Sequence, residues 1–232
     1  MKIDSIFKDM LKNKNIYTQA RKGSEFEDRF EDVCKKQGFT RKLAGDISKE
    51  LKLIKSEVLN DFNKNTILNR FNDKDNMVDF FVSQPFGSQS YPDFLIFTKN
   101  YIVPIEIKYS SDKSKKPMWN GNVPKANGIY IFGNNSYQDF TFFKGIDILP
   151  NKEKEKLFKF WEETIINYEN YRKDAKQLFE NKSLDIEYGF DVYPRKTFQQ
   201  NKQVNGLATL DFFNNPKRQE LENLTLKYLG TL

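Results

Sequence analysis

The sequence predicts an α/β fold, a central mixed β-sheet flanked by helices, with additional helices toward the C-terminal side. Three observations predict it. Phe94-Leu95-Ile96-Phe97 and Tyr101-Ile102-Val103-Pro104-Ile105 are β-rich runs joined by the polar turn Thr98-Lys99-Asn100, which reads as a hairpin. Ile129-Tyr130-Ile131-Phe132 is a short apolar run of the kind a buried strand presents, and Phe140 to Phe143 gives another. Segments of helical apolar spacing lie on either side of these strands.

The elements follow in order. Ile6, Phe7, Met10, Leu11, Ile16 and Tyr17 mark a short N-terminal helix, an arm that ends in Arg21-Lys22. Ser24 then stands as an N-cap, with Glu25, Glu27 and Asp28 in the first turns, where the helix dipole favours acids. Phe26, Phe30, Val33 and Cys34 recur at i, i+4, i+7 and i+8 and form one apolar face. Gly38 ends this helix as a left-handed cap, and Phe39 docks back onto it. Leu51, Ile54, Val58, Leu59 and Phe62 predict a second helix, which the spacing of Leu68 and Phe71 extends. Asn72 to Asn76 is a polar turn, and Met77 to Ser83 reads as a strand or short helix.

After the hairpin, Tyr109 to Gly128 is irregular. Asn151 to Glu180 is a long amphipathic helix whose stripe, from Leu157 through Phe160, Trp161, Ile165 and Tyr168 to Phe179, suits packing on the sheet or on a second subunit. Ile186 to Tyr193 reads as a strand. A turn at Asn214-Asn215-Pro216 precedes a final helix with Leu221, Leu224 and Leu229. With no internal repeat and no Ser/Gly-rich linker, the whole chain, 1–232, reads as one domain.

Composition excludes several chemistries. The chain has no histidine, which removes Ser-His-Asp and Cys-His catalysis and histidine-ligated metals together. A single cysteine, Cys34, allows neither an intrachain disulfide nor a cysteine-cluster metal site, and its place on an apolar helix face assigns it to packing. The net charge of +6 favours a polyanionic partner such as nucleic acid. No apolar stretch reaches the length of a membrane span, and the start, Met1-Lys2-Ile3-Asp4, carries no signal peptide, so a reducing cytoplasm is the expected location.

The hairpin carries the chemistry. Residues i and i+2 of a strand share a face, so Glu106 and Lys108 lie together while Ile105, Ile107 and Tyr109 face the other way. Charges on an apolar strand need a partner. Asp93, at the start of the first strand, can come near Glu106 on its antiparallel neighbour. A divalent cation relieves the repulsion between two such carboxylates, and Mg²⁺ takes one or two carboxylates plus water and substrate phosphate. Lys108 can then orient or deprotonate an attacking water, or stabilise charge on a phosphate.

Pro92-Asp93 followed by Glu106-x-Lys108 resembles the signature of the PD-(D/E)XK nucleases, the restriction-endonuclease-like fold. The polar loop before the aspartate, Gln84-Pro85-Phe86-Gly87-Ser88-Gln89-Ser90-Tyr91, is similar to the approach loops of restriction enzymes. The run Lys22 to Glu27, ending in Lys36-Gln37-Gly38-Phe39, resembles the first helix of archaeal-type Holliday-junction resolvases and related enzymes of this fold. In those, a glutamate four residues after the glycine reaches the metal site; the matching residue is Glu27, with Glu25 as its competitor if the register differs. The run Lys116-Pro117-Met118-Trp119-Asn120, with Pro124 and then Gly128 to Phe132, is similar to Type II restriction endonucleases.

The resemblance implies that Asp93 and Glu106 hold Mg²⁺, that Lys108 acts on the nucleophilic water, and that a homodimer cuts both strands of double-stranded DNA, leaving 5′-phosphate and 3′-hydroxyl ends. It covers about residues 22–39 and 84–132, inside a catalytic core of about 22–145, with helical and DNA-recognition additions at about 40–80 and 150–232. Backbone contacts want lysine, and base-edge readout wants amide and arginine side chains. On that basis Gln89, Lys113, Lys115, Lys116, Trp119, Asn120 and Arg195 are the candidate DNA-binding residues, Trp119 as an exposed aromatic or tucked into the core. The expected activity is Mg²⁺-dependent, site-specific endodeoxyribonuclease cleavage. The alternatives are a Holliday-junction resolvase or repair nuclease of the same fold, or a non-catalytic DNA-binding protein.

Overall fold

The computed structural model describes residues 2–60, 67–74, 76–88, 90–119, 124–125, 127–148, 151–180 and 211–232. The expected strand at Ile186 to Tyr193 lies outside them. The structure is α/β, with a mixed seven-stranded sheet flanked by helices. The chain divides into two compact units: Met1–Met118 with Pro124–Ile148 and Gln200–Leu232, and Trp119–Val123 with Leu149–Gln199.

The first unit holds helices α1 (Asp4–Lys12), α2 (Lys14–Thr18), α3 (Gly23–Lys36) and α4 (Ser48–Asn60). Its strands are β1 (Thr40–Lys42), β2 (Ile67–Leu68), β3 (Phe80–Ser83), β4 (Phe94–Phe97), β5 (Tyr101–Ser110), β6 (Ile129–Asn134) and β7 (Asp139–Lys144). The second unit contains α5 (Asn151–Glu180), and α6 (Arg218–Leu229) closes the first. The sheet order is β1-β3-β4-β5-β6-β7, with β2 pairing the start of β5. β4 and β5 form the predicted antiparallel hairpin, Phe94 opposite Ile105 and Phe97 opposite Ile102. β5 and β6 run parallel, with Glu106 opposite Tyr130 and Lys108 opposite Phe132.

Alternation gives the sheet two faces. One carries Phe81, Phe94, Ile96, Val103, Ile105, Ile107, Ile129, Ile131, Phe140 and Phe142, which form one core with Ile6, Phe7 and Met10 of α1, Phe26, Phe30 and Val33 of α3, and Leu229 of α6. The opposite face carries Phe80 stacked on Phe97 at 4.3 Å, then Glu106, Lys108, Tyr130 and Phe143. Every side chain of β4 is buried, which is why this strand reads as an unbroken apolar run instead of an alternating one.

α3 seats closely on the sheet. The Phe26 ring packs against Tyr109 at 5.6 Å and Phe140 at 6.5 Å, and lies over Gly133, where a Cβ would come within 2.7 Å of it. The helix starts at Gly23, one residue before the expected cap, so Ser24 is helical and Lys22 is the N-cap without a side-chain bond. Gly38 does end it in the left-handed region (φ 92°), and the Phe39 N–H returns to the Cys34 carbonyl at 3.0 Å. Cys34 is buried, as its helix face required.

Two further expectations change. Leu68 does not extend α4; it lies in the two-residue strand β2 opposite Tyr101, where pairing with β5 overrides helical spacing. β5 runs on through Ser110, so the irregular segment begins two residues later than predicted. No helix among the described residues is long and apolar enough to cross a membrane.

Candidate active site

The site forms where β5 outruns β4. Their ladder starts at Phe94–Ile105, so beyond it β5 has no strand carbonyl from β4 to meet. Asp93 takes that place: its carboxylate Oδ2 accepts the Ile107 N–H at 2.6 Å. This anchors Asp93 across from Glu106, the next residue along β5. Lys108, two residues further on the same face, places its ammonium 2.6 Å from Glu106 Oε1. The other Glu106 oxygen, Oε2, is buried and has no hydrogen-bond partner.

Glu27 comes to the same place from α3. It follows Phe26, and one residue along a helix is a turn of about 100° from the sheet-facing side. Its carboxylate is half-buried and feels Glu106 as its strongest neighbouring charge. Glu25, the competitor, is used elsewhere: its Oε2 accepts the Arg21 N–H at 2.8 Å, at the start of the helix.

Electrostatics follow from burial and like charge. Burial first, then repulsion from Glu106 and Glu27, pushes the Asp93 carboxyl up to about 7, against the opposing pull of the Ile107 N–H and Lys108. Burial, Glu106 and Asp28 raise Glu27, and the nearby polar side chain of Gln84 opposes them. Three acids thus face one another with one lysine among them.

The wall behind Glu106 is aromatic and buried. Tyr130, its neighbour on β6, stacks on Tyr91 at 6.2 Å and on Phe143 at 5.8 Å. Both tyrosine hydroxyls are fully enclosed, which pushes them well above their ordinary value. The Lys125 N–H donates to the Tyr130 hydroxyl at 2.7 Å, and its ammonium lies 5.0 Å over the Tyr91 ring and bonds the Leu59 carbonyl at the end of α4. Such a wall lowers the local dielectric and strengthens the interactions of the charges in front of it.

The residues fit a hard divalent cation. Among the described residues no group of three His, Cys, Asp or Glu forms a metal cage. Mg²⁺ does not need one, since it keeps several waters and takes one or two carboxylates. Asp93 and Glu106 supply that pair, and the unpartnered Glu106 Oε2 is a buried anionic oxygen that only a cation or a proton donor would satisfy.

Among the described residues, the expected DNA-contacting side chains stand in different settings. Lys113 is exposed. Lys115 pairs with Asp211 at 2.8 Å, and its ammonium lies over the Tyr137 ring at 5.3 Å. The Lys116 ammonium is enclosed and has no hydrogen-bond partner. Trp119 is buried, only 7% exposed, the second of its two expected placements: its ring is not presented to solvent. Gln89, Asn120 and Arg195 lie outside the described residues. The segment carrying these lysines is tied down by Asn134, whose amide donates to the Asp112 and Ser114 carbonyls at 2.9 and 2.7 Å, and by the Phe212 N–H, which donates to the Lys115 carbonyl at 2.9 Å.

Sequence reasoning passed over Gln84, Tyr91 and Tyr130 as site residues. The signal for Gln84 was register: once β3 pairs with β4 at Ser83–Phe94, the next residue falls beside Asp93. Compared with protein-family models, with curated proteins and with solved structures, the chain matches none.

Proposed function

We propose that the protein is a Mg²⁺-dependent endodeoxyribonuclease of the PD-(D/E)XK type, hydrolysing phosphodiester bonds of double-stranded DNA. The observation that carries this reading is the group at the end of β4: Asp93 anchored on the Ile107 N–H, Glu106 with one free buried oxygen, and Lys108 at 2.6 Å from the other. Paired acids beside a lysine, backed by buried aromatic rings, suit a phosphate once a divalent cation offsets the charge of the acids.

Asp93 and Glu106 are the residues that hold Mg²⁺. When bound, the ion acidifies a water and draws charge from the phosphate oxygens. Lys108 is fixed by Glu106 on the same strand face, where it holds the attacking water or a phosphate oxygen. Glu27 stands beside the pair as a base or as a further acceptor for water. The Tyr91–Tyr130 wall keeps bulk water from one side of the site.

By its resemblance to Type II restriction enzymes, the protein acts as a homodimer on a specific sequence, leaving 5′-phosphate and 3′-hydroxyl ends. The size of the chain beyond a minimal nuclease core supports this over a junction resolvase. Incubating plasmid and a four-way junction with the purified protein and Mg²⁺ tests it. Discrete plasmid bands are the expected result. Junction-only cutting would move the assignment to a resolvase, and no cutting of either would remove the nuclease reading.

A further inference from the structure

Lys125 is 2% exposed, a depth at which lysine is seldom found. A buried ammonium is costly unless its surroundings compensate it. Two of its contacts do so. It donates to the Leu59 carbonyl in the last turn of α4, where helix carbonyls lack partners within the helix and the dipole favours a cation. It also lies 5.0 Å over the Tyr91 ring, within the range of a cation–π contact. The backbone of the same residue is held separately. Its N–H donates to the Tyr130 hydroxyl at 2.7 Å, and its carbonyl accepts the Gly128 N–H at 3.0 Å. Gly145, just after β7, sits so close to that carbonyl that any side chain there would collide with it.

These contacts lead to both strand acids. Tyr130 is the β6 neighbour of Glu106. Tyr91 stacks on Tyr130 at 6.2 Å and is separated from Asp93 by Pro92 alone, whose ring fixes one of the two soft torsions between them. One lysine therefore ties together the end of α4, the loop that delivers Asp93 and the strand beside Glu106. An apolar side chain could fill the same space with no charge to bury. What the ammonium adds is direction, because its contacts are satisfied in one arrangement of these segments.

We propose that Lys125 is a positioning residue: anchored on the Leu59 carbonyl and on Tyr130, it holds the Tyr91 and Tyr130 rings in place and so sets how the Asp93 and Glu106 carboxylates stand relative to each other. The consequence for cation binding and cleavage rests on the nuclease reading above; the positioning itself does not.

The first test needs neither metal nor DNA. The Ile107 N–H belongs to the peptide bond that follows Glu106 and donates to Asp93, so its NMR resonance reports on both acids. Lys125→Met keeps an unbranched chain and the backbone N–H to Tyr130 and removes the ammonium. The Ile107 resonance should shift in this variant, while the amide pattern of α6 is retained and shows that the protein is folded. In Mg²⁺, residues that orient metal ligands account for about 10–100-fold in affinity or activity, so Lys125→Met should lose about 10-fold or more in single-turnover cleavage rate per folded molecule, with the half-saturating DNA concentration unchanged. Lys125→Gln, which keeps a polar end without the charge, repeats both measurements if the methionine variant does not fold. An unmoved Ile107 resonance in a folded variant, or a rate that falls only in proportion to the folded fraction, would overturn the proposal. If the wild-type protein cuts no DNA, the nuclease reading fails, and the Ile107 resonance still decides whether Lys125 positions the acids.

Discussion

Replacing Asp93 by asparagine should make the metal-free protein more stable, even though it removes a residue central to the site. The Asp93 carboxyl is pushed up to about 7 from an ordinary value of 3.8, because burial and two neighbouring acids oppose its charge. A carboxyl raised in the folded state binds its proton more tightly there than in the unfolded chain. The penalty is therefore absent below the unfolded value, grows as pH rises, and is complete above about 7. At about 1.4 kcal/mol per pH unit, a shift of this size amounts to roughly 4 kcal/mol.

Asparagine keeps an oxygen for the Ile107 N–H and carries no charge. The expected gain is about 2–4 kcal/mol at a pH near 8, shrinking toward zero near pH 4. Urea unfolding of both proteins in EDTA across that range measures it. Ca²⁺ should then stabilise the wild type through binding to the folded state and leave Asp93→Asn unmoved. A variant no more stable than wild type at the alkaline end would refute the account of crowded, mutually repelling acids.

The remaining predictions concern the site lysine and the frame. Lys108→Ala should abolish cleavage yet still bind DNA in Ca²⁺ by gel shift, whereas Asp93→Ala should lose cation-dependent binding as well; wild-type cutting by Lys108→Ala would show that the Glu106-x-Lys108 match is accidental. Arg218 makes two 2.8 Å bonds to Asp139 and a third to Glu222, fixing α6 to β7. Burial alone would raise Asp139, but Arg218 and Lys14 hold it below the usual carboxylate range. Arg218→Ala leaves Asp139 half-buried with Lys14 alone and Glu222 without its helix partner, so it should destabilise the protein by about 1–3 kcal/mol in urea unfolding. A loss within about 0.5 kcal/mol would mark the network as a solvated surface pair.

The hairpin was legible in the sequence because two local signals agreed: a polar turn, and apolar runs whose alternation placed Glu106 and Lys108 together. Glu27 was marked by the resemblance of the helix start to resolvases of this fold, four residues after Gly23, with Glu25 as a rival if the register differed. What separates them is the Arg21 N–H, which takes the Glu25 carboxylate at the helix start. β1 and β2 gave no local sign. Thr40-Arg41-Lys42 is polar and becomes a strand only by pairing with β3. Leu68 fits a helical period and is claimed by β5 instead.

The lysines of the segment after β5 show the same limit. Lys115 looks free until Asp211, 96 residues away, is brought against it. The neighbours of Glu106 were hidden for a related reason. Tyr130 reads as part of a short apolar strand and Tyr91 as the end of a polar loop, and only the register of β6 against β5 puts a tyrosine behind the acid.

The central claim is that Asp93, Glu106 and Lys108 form a metal-dependent phosphodiesterase site. An end-labelled DNA duplex, incubated with the wild-type protein and with Glu106→Gln in Mg²⁺, in Ca²⁺ and in EDTA, tests it most directly. The account predicts cleavage by the wild type in Mg²⁺ alone, with 5′-phosphate ends, and none by Glu106→Gln under any condition. Equal cleavage by the two proteins, or wild-type cleavage that persists in EDTA, would contradict it.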